Sequence, residues 1–184
     1  VLFRSNVKLN LGLFVQEQWT RKQLTLNLGV RFDYLNAYTP AQDVPANRFV
    51  GRRVFPEFPN QPNWRDLNPR IGASYDLFGN GRTAIKGNIG RYMELQAVGV
   101  TELVNPMIAP GGTTTDRAWA DANRNFFPDC DLINPAANGE CGPYTNGNFG
   151  RAIVTTRYQD GLLEGWGNRG FNWEIAAGVQ HQLT

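Results

Sequence analysis

The residues best suited to chemistry lie together late in the chain. Through Asp121-Ala122-Asn123-Arg124-Asn125-Phe126-Phe127-Pro128-Asp129-Cys130-Asp131, the residues Asp121, Asn123, Asn125, Asp129 and Asp131 place side-chain oxygens at close intervals. Calcium is held by several carboxylate and amide oxygens of one short loop, so these five residues form a candidate Ca²⁺ site. The match to a helix-flanked calcium loop is partial, because the sixth position is Phe126 rather than Gly and the twelfth is not Glu. Asp and Asn also form ordinary turns by hydrogen-bonding the local backbone, and a plain structured loop is the other reading. Cys130 and Cys141 are the only cysteines. In an exported chain such an isolated pair forms a disulfide, and closing so short a loop contributes about 3 kcal/mol on a chain-entropy argument. A metal site would need more ligands than this pair and the distant His181 provide, and a redox pair would need a CxxC spacing.

Other catalytic signatures are missing. Gly79-Asn80-Gly81 is not followed by the GK[ST] of a phosphate loop, Ser5 and Ser74 have no nucleophile setting, and the sole histidine, His181, ends a strand pattern. No paired carboxylates stand out, so the sequence points away from an enzyme. Its 18 basic and 16 acidic residues are well mixed, for a net charge of +2, and no basic run interleaves with aromatics. Nucleic acid is therefore not an expected partner.

The elements around this loop are strands. Over 23–34, Leu24, Leu26, Leu28, Val30, Phe32 and Tyr34 occupy one parity, and Gln23, Thr25, Asn27, Gly29, Arg31 and Asp33 the other. Side chains of a strand alternate between faces, so one face is wholly apolar and the other wholly polar. Residues 171–183 repeat the pattern, with Phe171, Trp173, Ile175, Ala177, Val179 and Leu183 opposed to Asn172, Glu174, Gln180 and Gln182. Such strands run about 12 residues, roughly twice the usual soluble length, and about 10 tilted residues suffice to cross a bilayer. Five strands are expected, near 7–19, 23–35, 68–77, 83–92 and 171–184, with long loops at 36–67 and 93–170. Glu17 falls on the apolar parity of the first strand, which a bulge or an interfacial Glu would explain.

The connections alternate short, long, short, long. In an antiparallel wall this puts both short turns on one side of the membrane and both long loops on the other, as outer-membrane barrels do with periplasmic turns and extracellular loops. A 78-residue loop (93–170) would be anomalous within a compact soluble domain. Trp19, Tyr75 and Phe78 fall near the short-turn side, and Phe32, Tyr34, Phe171 and Trp173 near the long-loop side, where aromatic girdles belong. A secreted β-sandwich binding module is the alternative in which these aromatics simply pack a soluble core. The expected fold class is thus all-β: a partial antiparallel transmembrane β-barrel wall of about five long strands with two long extracellular loops, in contact with outer-membrane lipid.

Three stretches carry a family resemblance. Asn63-Trp64-Arg65-Asp66-Leu67-Asn68-Pro69-Arg70-Ile71-Gly72, continuing through the turn Phe78-Gly79-Asn80-Gly81-Arg82-Thr83-Ala84, resembles the barrels of TonB-dependent outer-membrane receptors, nearest the Oar-like group. Leu13-Phe14-Val15-Gln16-Glu17-Gln18-Trp19 with the second strand, and Gly165-Trp166-Gly167-Asn168-Arg169-Gly170-Phe171 before the fifth, are similar to the same barrels. The resemblance implies a 22-stranded barrel with an N-terminal plug and a motif engaging the TonB complex through other parts of the protein. It implies active import of a bulky ligand (an oligosaccharide, a peptide or a chelated metal) across a Gram-negative cell outer membrane. Five strands cannot close a barrel, since about eight is the minimum, so residues 1–184 read as a fragment of a single barrel domain. A passive porin or structural surface barrel without TonB coupling would have the same wall strands.

Overall fold

The computed structural model describes residues 4–183. In chain order its elements are β1 (Asn6–Arg21), β2 (Leu24–Tyr38), β3 (Gln42–Val44), β4 (Arg53–Phe55), β5 (Asn63–Asp76), β6 (Thr83–Met93), α1 (Gly99–Leu103), α2 (Pro110–Thr113), β7 (Arg117–Trp119), β8 (Cys141–Tyr144), β9 (Glu164–Trp166) and β10 (Phe171–His181). They fall into two compact units. Residues 7–37, 62–97 and 158–183 form a wall unit; residues 4–6, 38–61 and 98–157 form a loop unit.

The wall is a sheet of long strands in sequence order, β1-β2-β5-β6-β10. β2 runs antiparallel to β5 from Leu24↔Tyr75 to Asn36↔Asn63, and the β5–β6 and β6–β10 pairs are antiparallel too. These registers line up residues of like character. Leu28, Ile71, Ile89 and Ile175 form one row, and Leu24, Tyr75, Ile85 and Val179 another, while the opposite face carries rows such as Thr25, Ser74 and Lys86. Ile175 is 75% exposed and Val179 71%. Among the described residues, no second layer of the wall unit covers this apolar face, which the sandwich reading would require.

Two tight turns set the registers. Lys22-Gln23 joins β1 to β2, with Lys22 at a left-handed φ of 53°, so the turn sits one residue later than the expected Thr20-Arg21-Lys22. Thr20 lies beside Thr25, Gln16 beside Gly29 and Gly12 beside Asp33. All three contacts belong to a single register, so no bulge intervenes. Glu17 therefore stays on the apolar face across from Leu28, one row in from Trp19 toward the middle of the strand. Between β5 and β6, Asp76 accepts from the Gly81 N–H at 2.8 Å and Asn80 from the Arg82 N–H at 3.0 Å. The positive φ values fall on Gly79 (69°) and Gly81 (75°), and a Cβ on Gly79 would come within 2.5 Å of the Gln23 side chain.

Three boundaries differ from the sequence expectation. β5 begins at Asn63 rather than near 68, and β2 continues to Tyr38, because backbone pairing persists where apolar–polar alternation has stopped. The loops expected at 36–67 and 93–170 are correspondingly shorter and contain β3, β4, α1, α2, β7, β8 and β9. β10 is assigned through His181; residue 184, the end of the expected strand, lies outside the described residues. One pairing also departs from an all-antiparallel wall. β9 runs parallel to β5 through Asn63↔Glu164, Trp64↔Gly165 and Arg65↔Trp166, on the upper edge of β5 that β6 leaves free.

Ala177 lies in the apolar row of Leu26, Ala73 and Gly87. Ala177→Arg should lower the stability of the intact barrel in lipid vesicles by about 2–4 kcal/mol. Gly178→Arg, one residue along on the polar face, should cost much less; urea titration of the two variants measures the difference.

Candidate functional site

The loop unit has its own small core. β3 pairs with β4, and Val44, Phe55 and Met107 are buried together against Phe58. Met107 is drawn in from the segment between the two short helices, where Asn105 accepts its N–H at 3.0 Å and Pro106 O accepts the Ile153 N–H at 2.8 Å. These anchors order two stretches rich in Pro, Gly and Asn that carry no sustained period.

Cys130 and Cys141 are joined in a disulfide with Cα atoms 5.9 Å apart. β7 and β8 pair beside it through Arg117↔Tyr144 and Trp119↔Cys141. Two charged side chains tie the enclosed loop. The Arg117 guanidinium donates to the carbonyls of Gly142 (2.9 and 2.6 Å), Ala136 (3.1 Å) and Asn134 (3.2 Å), and lies 5.0 Å from the centre of the Tyr144 ring. Glu140 accepts from the Ala122 N–H at 2.9 Å, the Asp129 N–H at 3.2 Å and the Trp119 indole at 3.3 Å. Desolvation works to raise the Glu140 pKa, but these donors outweigh it and hold the carboxyl below the usual range.

The oxygens proposed as calcium ligands are engaged with the loop itself. Asp121 accepts from the N–H groups of Asn125 (3.1 Å) and Phe126 (3.0 Å), and Asn123 from that of Asn125 (3.0 Å). Asn125 accepts from the Phe127 N–H at 2.7 Å, and Asp129 takes the side-chain amides of Asn123 and Asn125. Asp131 serves a different turn, accepting from the Ile133 N–H. Among the described residues no three His, Cys, Asp or Glu gather in a way that suits a metal. Calcium at Asp121, Asn123, Asn125, Asp129 and Asp131 would require these bonds to be exchanged for metal contacts. Phe126 sits at a left-handed φ of 60° and is 87% exposed, and Trp119 and Phe127 are exposed as well. The Asx turns point it outward.

Two neighbouring clefts open on the loop unit. One, of about 350 Å³, is lined by Phe49, Leu132, Trp119, Tyr144 and Phe149 among others. The second, of about 310 Å³, is lined by Arg52, Arg53, Arg151 and Asn146, and shares Val50, Tyr144 and Phe149 with the first. Tyr144 and Phe149 meet edge to face at 5.6 Å, and the Arg53 guanidinium lies 5.9 Å from the Phe149 ring centre. Arg52 is paired with Asp43, whose pKa is lowered chiefly by that hydrogen bond. Sequence reading missed Arg117, Glu140 and both clefts, because their partners are backbone groups and rings that no local spacing announces.

A buried polar network lies in the wall unit where the β5–β6 ladder stops. The ladder ends at Arg70↔Gly90, one residue short of Pro69, which has no N–H to donate. The Arg91 side chain fills the opening. It donates to Leu67 O at 2.8 Å and Asn68 Oδ1 at 3.1 Å, and pairs with Asp66 at 3.3 Å. Asn68 in turn donates to Asp33 at 2.9 Å, and Asp33 accepts Arg31 at 2.9 Å. The Phe171 ring lies 4.0 Å from the Arg91 guanidinium. Arg91 has the parity of Ile89 and Ile85, and its charge is tolerated there because it serves the Leu67 carbonyl, beyond the end of the β5–β6 ladder, and pairs with the Asp66 carboxylate.

A wall with one apolar and one polar face, no covering layer and strands of up to 16 residues is the architecture of a membrane-spanning β-barrel. The chain belongs to the outer membrane beta barrel domain family, whose profile matches residues 3–176. Its place is the Gram-negative outer membrane. It is also similar to the TonB-dependent transporter Oar of Myxococcus xanthus, at 29% identity over 122 residues. That alignment covers 66% of this chain and 10% of the transporter, so the chain spans about a tenth of that relative's length. No solved structure matches.

Limited proteolysis of the intact barrel at neutral pH should show cleavage within 122–140 accelerated by reductant, by up to about a hundredfold if the disulfide contributes about 3 kcal/mol. Chelator alone should change nothing if the loop is held by its own hydrogen bonds; acceleration by chelator would show a bound cation. A carboxyl with a lowered pKa stabilises above its unfolded value and loses that contribution as pH falls through the folded one. Lowering the pH below about 4.5, the ordinary Glu value, should therefore also speed cleavage, and Glu140→Gln should flatten that pH response.

Proposed function

We propose that this chain is a wall segment, with its surface loops, of an energised outer-membrane importer of the Oar-like group, coupled to the TonB complex through other parts of the protein. The observation that carries the reading is the alignment with a TonB-dependent transporter over two thirds of the chain. The loop unit supports it. A buried cluster, a disulfide and paired short strands order the long connections, so they can present a fixed surface to a bulky ligand such as an oligosaccharide, a peptide or a chelated metal. The wall supplies the passage and the loops the first contact. No arrangement of nucleophile, base and oxyanion donors belongs to this reading, which is transport and not catalysis.

A passive porin would share the wall but not the dependence on energy. In cells carrying the full-length protein, ligand accumulation should fall at least tenfold on dissipating the proton gradient or deleting TonB. Accumulation that persists under both treatments identifies a passive barrel and overturns the proposal.

A further inference from the structure

The two clefts of the loop unit share a wall and differ in chemistry. The larger is apolar and aromatic, with Asp116 the one carboxylate on its lining. The smaller has three arginines and no carboxylate. Asp43 neutralises Arg52, but among the described residues Arg53 and Arg151 have no ion pair. Arg53 Nε is buried without a hydrogen-bond partner, and its guanidinium lies against the Phe149 ring. A buried donor without an acceptor carries an uncompensated desolvation cost. Guanidinium groups also bind carboxylates through paired, charge-assisted hydrogen bonds.

We propose that these clefts are one binding site for an aromatic carboxylate, with the ring held between Trp119, Tyr144 and Phe149 and the carboxylate on Arg53 and Arg151. The clefts, near 350 and 310 Å³, are of small-molecule size and share Val50, Tyr144 and Phe149, so a ring in one and a carboxylate in the other can belong to a single compact ligand. Tyr144 fixes the shared wall, since its hydroxyl donates to Leu132 O at 2.7 Å and lies 3.2 Å from Phe49 O. Its backbone N–H is meanwhile bonded to Pro135 O at 2.9 Å. Because the Cys130–Cys141 disulfide and the Arg117 contacts hold the same segment, the site is formed before ligand arrives, which lowers the ordering cost of binding. The inference deepens the importer reading by naming the ligand class. It is measured at equilibrium on purified protein, so its failure leaves energised uptake untouched, and failed uptake leaves binding measurable.

The test is calorimetric titration of the purified full-length protein with N-acetyl-L-phenylalanine and with its neutral amide. Phenylacetate as a third probe separates a free aromatic acid from a peptide C-terminus. The acid should bind about tenfold more tightly than the amide, the effect of one charge-assisted hydrogen bond. Arg151→Gln, at an exposed position that leaves the fold intact, should erase most of that difference. Phe149→Leu should weaken acid and amide alike. Equal binding of acid and amide, no binding of either, or an acid preference unchanged in Arg151→Gln overturns the proposal. If phenylacetate matches the acetylated amino acid, the site reads ring and carboxylate only; if it binds much more weakly, the site reads a peptide terminus.

Discussion

Within a bilayer no water is present to satisfy backbone N–H and C=O groups, and everything else in this chain depends on that constraint. It requires strands long enough to cross and paired along their length. It explains why β2 and β5 keep their ladder through thirteen consecutive pairs, from Leu24↔Tyr75 to Asn36↔Asn63, although side-chain alternation has already lapsed. With the backbone served by neighbours, the side chains divide by face alone. The apolar rows are selected for lipid and the polar rows for the interior.

The same constraint shows how a break in the ladder is tolerated. Pro69 removes a donor from β5, β6 diverges beyond Gly90, and β9 takes over the free edge only at Asn63–Arg65. In the interval the Arg91 guanidinium does what a strand would do, donating to Leu67 O and binding Asp66 and Asn68. Removing only one member of such a network leaves a buried charge unpaired, which is far more costly than removing all of it. Arg31, Asp33, Asn68, Arg91 and Asp66 are therefore best regarded as a single structural feature.

Much of the wall was legible in the sequence because period-two alternation is a local signal that lipid enforces on one face. Leu24 through Tyr34 and Phe171 through Val179 announced their strands, and the Gly79-Asn80-Gly81 segment announced its hairpin. The first turns of β5 were not legible. Trp64, Asp66 and Asn68 are buried, and their partners are distant in the chain: Leu162 O for the Trp64 indole, Arg91 for Asp66, and Arg91 and Asp33 for Asn68. The disulfide of Cys130 with Cys141 follows from there being only two cysteines. Arg117, Glu140 and the two clefts do not follow from anything local, because their partners are carbonyls, N–H groups and rings brought together by the loop unit's small core. Glu17 was ambiguous on sequence alone, and the uninterrupted β1–β2 register settles it as a carboxylate on the apolar face near Trp19.

The central claim is that one face of this sheet meets lipid and the other does not. Spin labels placed singly at Ile175 and Glu174 of the full-length protein in lipid vesicles test it most directly, because these adjacent residues project to opposite faces of β10. The account predicts that a label at 175 is relaxed strongly by oxygen, which concentrates in the bilayer, and weakly by a water-soluble nickel chelate, with the reverse at 174. Equal accessibility of the two positions to both reagents would contradict it.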